Sequence, residues 1–399
     1  MTAEAHPLDR RVVITALGFA QILAWGTSFY FPAVFAEPIV AETGWSLGFV
    51  VVGTSIGLLV AGLISPQVGR IIDVRGGRPV LLASSLFYAA GLALVGLAYA
   101  LPIYLLAWAL IGLGMGTGLY DAVFAALGRM YGSEARGPIT SLTLFGGFAG
   151  TVCWPLSAFM IEHVGWRSAC LIYSAIHLCV TLPLQVSVVK TPPTAGCESS
   201  KQSVSGATSR IDHETLIFAL LAFVLSIAAG IGSIVVVHLL TFLQARGLDF
   251  TSAVSLGTLF GPAQVGARLV ERVFGNRYHP IWTMIASCAL MALGLVLLFA
   301  ALPALVLVIL LYGAGYGISW VGRGTLPLAL FGATRFPRLM GKLAFPSLIV
   351  QALAPSAGAL LIERNGTNAT IGVLTLLALG NVVLIGVLWC LCRKPPSAD

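Results

Sequence analysis

Among the ionisable side chains that fall within or at the ends of long apolar runs of this sequence, Asp121, His238, Arg268 and Arg323 could do chemistry. A charge at the centre of a bilayer-spanning helix costs roughly 3 kcal/mol, less near the interface. Each therefore needs a partner, a wet cavity or an exchangeable proton. Asp121 is suited to exchanging a proton or competing for a cation. It comes eighteen residues after its run restarts at Ile103, about 27 Å along a helix, and Ala122 to Leu127 are expected to continue that helix beyond it. Arg323 lies about as deep in a later run. Arginine presents a rigid donor fork that grips a carboxylate bidentately, so Arg323 and Arg268 are candidates for holding an anion. Bland readings stand beside these: a fixed ion pair, an inner gate, or a pairing of Arg268 with Glu271 or with helix ends. Histidine is the residue type suited to proton-linked switching, which makes His238 a candidate, yet a lone histidine near a helix end is often satisfied by packing alone. In the first apolar run, Gln21, Trp25, Thr27, Ser28 and Tyr30 offer hydrogen bonds and aromatic faces.

The elements that must position these groups are set by composition. Of 399 residues, 58% are hydrophobic and 9% charged, with mean hydropathy +0.96. A soluble domain carries about 25% charged residues, so much of this surface must face lipid. The net charge of +7 does not point to nucleic acid, because the basic residues sit in short loops rather than on one face. The seven cysteines are odd in number and fit no disulfide or metal spacing. Cys390-x-Cys392 is a weak candidate for a soft metal, and neither metal site nor cofactor is expected. No Gly-x-x-x-x-Gly-Lys-Ser/Thr loop occurs, so ATP is not the driving force. The intramembrane polar groups are too scattered for an enzyme. Arg10-Arg11 precedes an apolar run too long and too aromatic for a removed signal peptide, so it reads as the first membrane helix.

A helix needs about 20 apolar residues to cross a bilayer. Charge-free intervals run 12–36, 43–69, 79–120, 137–161, 168–189, 215–245, 250–267, 278–322, 343–362 and 365–392. Two are double length and break at Tyr99-Ala100-Leu101-Pro102 and at Ala301-Leu302-Pro303, which gives twelve spans. With the N-terminus inside, seventeen Lys and Arg fall on the cytoplasmic side, and only Arg167, Arg246 and Arg364 fall outside, so both termini are expected to be cytoplasmic. The polar segment 190–214 reads as a linker that cannot order itself. It divides a first six-span bundle (1–189) from a second (215–399). The halves echo each other: Gln67-Val68-Gly69-Arg70 against Gln264-Val265-Gly266-Ala267-Arg268, and Gly112-x-Gly114-x-Gly116 against Gly313-x-Gly315-x-Gly317. A six-plus-six repeat is the pattern of alternating-access carriers.

Between spans 2 and 3 lies Gly69-Arg70-Ile71-Ile72-Asp73-Val74-Arg75-Gly76-Gly77-Arg78. Asp73 is placed to accept from Arg78 or from the next helix's free amides. With Gly69, Asp73, Gly76 and Arg78 in register, and Arg70 and Gly77 beside them, the turn resembles the cytoplasmic helix 2–helix 3 signature of the major facilitator superfamily. Gly165-Trp166-Arg167 fits the same pattern. The resemblance implies twelve transmembrane helices in two six-helix bundles related by a pseudo-two-fold axis. Helices 1, 4, 7 and 10 would line a central cavity, which places Asp121 and Arg323 across it. Helices 3, 6, 9 and 12 would lie outside, so His177 in span 6 is expected to be structural. The turn would latch the cytoplasmic side when the carrier opens outward. Two motifs depart from the superfamily: Trp108 stands four residues before Gly112 where proton-coupled members often carry arginine, and Pro155 follows tryptophan where drug exporters carry Gly-Pro. His238-Leu239-Leu240 with Gln244-Ala245-Arg246-Gly247 is similar to bacterial monocarboxylate-transporter-like members. The expectation is a monomeric secondary transporter of a bacterial plasma membrane, moving a small organic anion with protons or by exchange. An exporter of toxic or lipophilic compounds is the alternative, and a non-transporting membrane sensor the alternative of another class.

Overall fold

The computed structural model describes residues 9–189 and 207–393, and these are almost wholly helical. Before the linker come α1 (Arg10–Gly26), α2 (Pro32–Thr43), α3 (Leu47–Arg75), α4 (Arg78–Gly96), α5 (Leu101–Gly118), α6 (Tyr120–Tyr131), α7 (Arg136–Gly147), α8 (Ala149–Ile176) and α9 (Leu182–Val188). After it come α10 (Ala207–Gln244), α11 (Phe250–Gly257), α12 (Phe260–Phe274), α13 (Pro280–Phe299), α14 (Leu305–Phe331) and α15 (Phe336–Arg393). Within the expected linker 190–214, helix is described from Ala207 onward, and 190–206 lie outside the described residues.

Among the described residues seven helical runs are each long and apolar enough to cross a membrane. Leu101–Val188, at 88 residues, is far longer than a bilayer is thick. It folds back near Gly132 and Gly165 into three crossings, and Phe336–Arg393 folds at Gly366 into two. The α1–α2 and α11–α12 crossings are each interrupted, so no piece of them is long enough alone. Together these make the twelve spans. Large apolar side chains such as Phe223, Leu376 and Val383 stay exposed, as lipid-facing residues must.

The repeat is written into the backbone. Gly165 has φ 79°, ψ 160°, and Gly366 has φ 81°, ψ 164°. That region is open to glycine and costly for any residue with a Cβ. The turns therefore fall at matching places in the two halves. Packing repeats as well. A Cβ at Gly112 would meet the Gly57 backbone of α3, and one at Gly317 would meet the Gln264 backbone of α12. Span 4 thus touches span 2 as span 10 touches span 8, backbone against backbone.

Two of the outer arginines have a task. Arg167 donates to the carbonyls of Gly96 (3.0 Å) and Ala98 (2.7 Å) and pairs with Glu42 (2.7 Å). Arg246 donates to the Leu298 carbonyl (2.8 Å) and to Asn368 (2.5 Å). Each places a cation on the C-terminal carbonyls of a helix, α4 or α13, where the helix dipole favours positive charge.

The described residues fall into two compact units. The first holds the spans before the linker together with Pro327–Phe345, and the second holds the remainder. The first packs around Trp108, Tyr104 and the stacked Phe31–Phe35 pair, with ring centroids 4.0 Å apart. The second packs around Phe242, Tyr312 and Leu374.

Candidate substrate site

In the first unit three spans lose regular helix at their polar residues. Span 1 stops at Gly26. The hydroxyls of Thr27 and Ser28 fold back onto the carbonyls of Leu23 (2.8 Å) and Ala24 (2.5 Å), and Pro32, which has no amide hydrogen, opens α2. The Tyr30 amide reaches the Trp25 carbonyl, five residues back. Span 4 breaks at Leu119, which is extended (φ −79°, ψ −176°) after four glycines in seven residues. Glycine is about 1 kcal/mol worse than alanine inside a helix, so this stretch yields readily. Span 6 widens into a π-helical turn at His177–Thr181.

The break in span 4 corrects the continuous helix expected around Asp121. Tyr120 opens α6, and Asp121 lies in its first turn, at the end of the helix that favours negative charge. It is half-buried. The break deprives the Gly118 carbonyl of its helical partner, and Gln21, 1% exposed, supplies one: its Nε2 donates to that oxygen at 2.6 Å. Trp25 Nε1 donates to Gln21 Oε1 at 3.2 Å. The Trp25 ring lies 5.0 Å from Tyr120, and Tyr30 meets Trp154 edge-on at 5.9 Å. Gln21, Trp25, Tyr30 and Asp121 thus gather around two interrupted helices. Tyr120 and Trp154 complete the group. Tyr120 was not singled out from sequence, where the glycine run before it was its signal, and Trp154 was noted only as the residue before Pro155.

In the second unit Arg323 is buried in α14. Its Nη2 donates to Ser347 Oγ at 2.7 Å, and its guanidinium lies 5.5 Å from the Trp320 ring centroid. Arg268, 3% exposed, donates from Nε to the Gly317 carbonyl (2.9 Å) and faces Gln264 (3.4 Å), tying span 8 to span 10. Glu271 accepts from Tyr278 (2.5 Å) and Thr283 (2.7 Å). His238 Nε2 lies 3.1 Å from the Pro355 carbonyl. Nearby, Ser233 Oγ donates to the Gln351 carbonyl at 2.9 Å, the acceptor left open because Pro355 has no amide hydrogen. Ser233 and Ser347 were not singled out from sequence. Pro355 was the available signal for Ser233, since an interrupted span must find substitute donors.

The Gly69–Arg78 turn ends α3 and starts α4. Gly76 adopts φ 80°, and the Gly77–Arg78 junction opens α4 with Pro79 next. Among the described residues Asp73 pairs neither with Arg78 nor with the first amides of α4, the two partners expected for it. Its carboxylate accepts from Arg338 Nε at 2.5 Å, and its carbonyl from Arg129 at 3.3 Å. Gly69 abuts the Gly341 backbone, at 3.1 Å from where a Cβ would sit. Arg70 is exposed beside it. The spacing placed Asp73 on the right face, and its partner lay too far along the chain to be read. Among the described residues no three His, Cys, Asp or Glu side chains cluster to hold a metal.

Membrane spans that break where buried polar groups collect are the build of a secondary carrier, with irregular backbone confined to the protein interior. The Major Facilitator Superfamily profile matches residues 17–278, and the chain belongs to that superfamily. It is 26% identical over 349 residues to monocarboxylate transporter 3 of Rattus norvegicus, covering 81% of this chain and 67% of that protein. It is 30% identical over 191 residues to monocarboxylate transporter 13 of Bos taurus, covering 46% of this chain and 42% of that one. An uncharacterized MFS-type transporter of Mycobacterium tuberculosis matches at 27% over 199 residues, 47% of this chain and 26% of that protein. The crystal structure of the human organic anion transporter MFSD10 (TETRAN) superposes with TM-score 0.72 at 15% identity, covering 94% of this chain and 99% of that one, which shows the fold. The chain is thus a multi-pass membrane transporter of a small molecule, and not an enzyme.

Proposed function

We propose that this carrier moves small organic anions, monocarboxylates first, by alternating access, coupled to protons or by exchange. One observation carries the reading: Arg323, buried in span 10 against Ser347 and Trp320. A fixed guanidinium at membrane depth is retained at an energetic cost that anion recognition would justify. The names of the two mammalian relatives support the substrate class. In this reading Asp121 exchanges a proton or competes for Arg323. Gln21, Trp25 and Tyr30 line the path, Arg268 and His238 brace span 10 and span 11, and the Asp73–Arg338 pair latches the cytoplasmic side while the carrier opens outward. It works as a monomer without nucleic acid, in a bacterial plasma membrane with both termini cytoplasmic. The bundles are 1–189 and 215–399.

Uptake into proteoliposomes tests this, with labelled monocarboxylates, dicarboxylates, an amino acid and a cationic dye, each with and without an inward proton gradient. Gradient-driven accumulation of a monocarboxylate is the expected result. Movement of the dye alone would replace the anion assignment with export of lipophilic compounds.

A further inference from the structure

Span 6 buries a basic atom that the candidate site does not use. His177 is 0% exposed, and its Nε2 lies 3.0 Å from Thr27 Oγ1. The Thr27 hydroxyl already gives its one proton to the Leu23 carbonyl at 2.8 Å, so Oγ1 accepts and Nε2 donates. That fixes the ring tautomer and leaves Nδ1 with a bare lone pair, which meets no partner among the described residues. The ring stacks on Tyr88 of α4, centroids 5.0 Å apart. The Tyr88 hydroxyl, without a partner at standard geometry, faces the Ser28 hydroxyl.

The π-helical turn adds a second open group. Thr27, Thr117, Thr140, Thr325, Thr370 and Thr375 each return their hydroxyl to the carbonyl four residues back. For Thr181 that carbonyl belongs to His177, which takes the Leu182 amide, five residues on, and the widened turn leaves the hydroxyl without this bond. The Thr181 hydroxyl is left 2% exposed and unpartnered. One turn further, Gln185 accepts from Ser85 at 3.0 Å, with both groups buried. Polar groups therefore continue between spans 3 and 6 from His177 toward the Val189 end. Buried polar groups this numerous in an apolar bundle call for a ligand or a function.

We propose that this lane is a protonation site, with His177 Nδ1 taking a coupling proton that arrives past Thr181, Gln185 and Ser85. One proton adds to the Nδ1 lone pair, an N–H bond forms, and imidazole becomes imidazolium. The proton leaves by the reverse step, with no other bond broken and no electron transferred. The unpartnered hydroxyls of Thr181, one turn on, and of Tyr88 are the groups that would have to turn to accept the new N–H, and Thr27 keeps the other. The titratable groups around the ring are Tyr88 on α4, Tyr173 one turn earlier on α8 (bonded to Ser157 at 2.7 Å), and Asp121 beyond Gly118, against which Ser84 and Tyr88 pack. The site rests on the proton-coupled carrier reading and adds a second proton-accepting group alongside Asp121. It also reverses the expectation that His177 is merely structural.

The deciding experiment is a proton titration of detergent-purified wild type and His177→Gln from about pH 8 down to about pH 3. Wild type should take up about one more proton per chain, and equal uptake overturns the proposal whatever transport shows. In vesicles His177→Gln should lose gradient-driven accumulation of a labelled monocarboxylate at least about tenfold more than it loses exchange at equal pH, a difference of about 1.4 kcal/mol. Equal losses also overturn it. A wild type that accumulates no anion sinks the substrate reading, while the titration still decides His177. Should His177→Gln not fold, Thr27→Val is titrated in its place. Removal of the Nε2 acceptor should move the midpoint, and an unmoved midpoint overturns the site.

Discussion

Gln21 shows how one side chain sustains an irregular helix. Its carboxamide replaces the hydrogen bond that the Gly118 carbonyl loses at the Leu119 break, and its oxygen orients Trp25. Gln21→Leu keeps the bulk and removes the donor. Leaving a buried carbonyl unsatisfied costs about 1–3 kcal/mol, so the variant should unfold at lower temperature in detergent and transport poorly. An unchanged thermal midpoint would mean that the carbonyl finds another donor. Arg323→Lys poses a related question of geometry. Lysine keeps the charge but loses the planar fork, so the anion dissociation constant should rise about tenfold, near 1.4 kcal/mol. Retained affinity in a binding assay would remove Arg323 from the site.

At the scale of elements, prolines and glycines decide where helices yield, and neighbouring helices make good the loss. Ser233 of α10 serves the Gln351 carbonyl that Pro355 cannot. Ser233→Ala should destabilise by about 1 kcal/mol. In a Pro355→Ala background, where an amide hydrogen returns to that carbonyl, the same change should cost less. Thermal unfolding of the four proteins gives the coupling, and strict additivity would refute the compensation. Gln21, Trp25, Tyr30 and Asp121 were legible as polar or aromatic residues in apolar runs. The break that turns Asp121 into a first-turn residue was not, because propensity alone does not say which weak helix yields.

At the scale of the molecule, charges fasten the ends of spans. Asp73→Arg should cut transport by disrupting the contact with Arg338, and the swap Asp73→Arg with Arg338→Asp should restore part of it. Uptake rates check this, and a swap no better than the single change would show that the pair itself is not what matters. At the opposite side, the Arg167 hydrogen bond holds the Glu42 carboxyl below its ordinary range, against the raising effect of burial and with help from Trp166. The folded carboxyl is thus more acidic than the unfolded one. The pair stabilises above the ordinary value of 4.5, and that contribution disappears as pH falls through the lower folded value. Thermal midpoints of wild type and Glu42→Gln should differ at neutral pH and converge on acidification. The effect is small, because the Glu42 side chain is 51% exposed.

The amino-acid sequence by itself determined the twelve spans, the repeat and the superfamily turn. Apolar transfer to lipid accumulates residue by residue along the chain, and a tight turn needs its glycines within a few positions of one another. Tertiary structure alone decided that Asp73 meets Arg338, 265 residues away, that Gln21 reaches Gly118, and that Thr27 reaches His177. Such partners are chosen by which helix faces pack together. Hydrogen bonds made inside a bundle act over about 3 Å, a distance on which separation along the sequence says nothing.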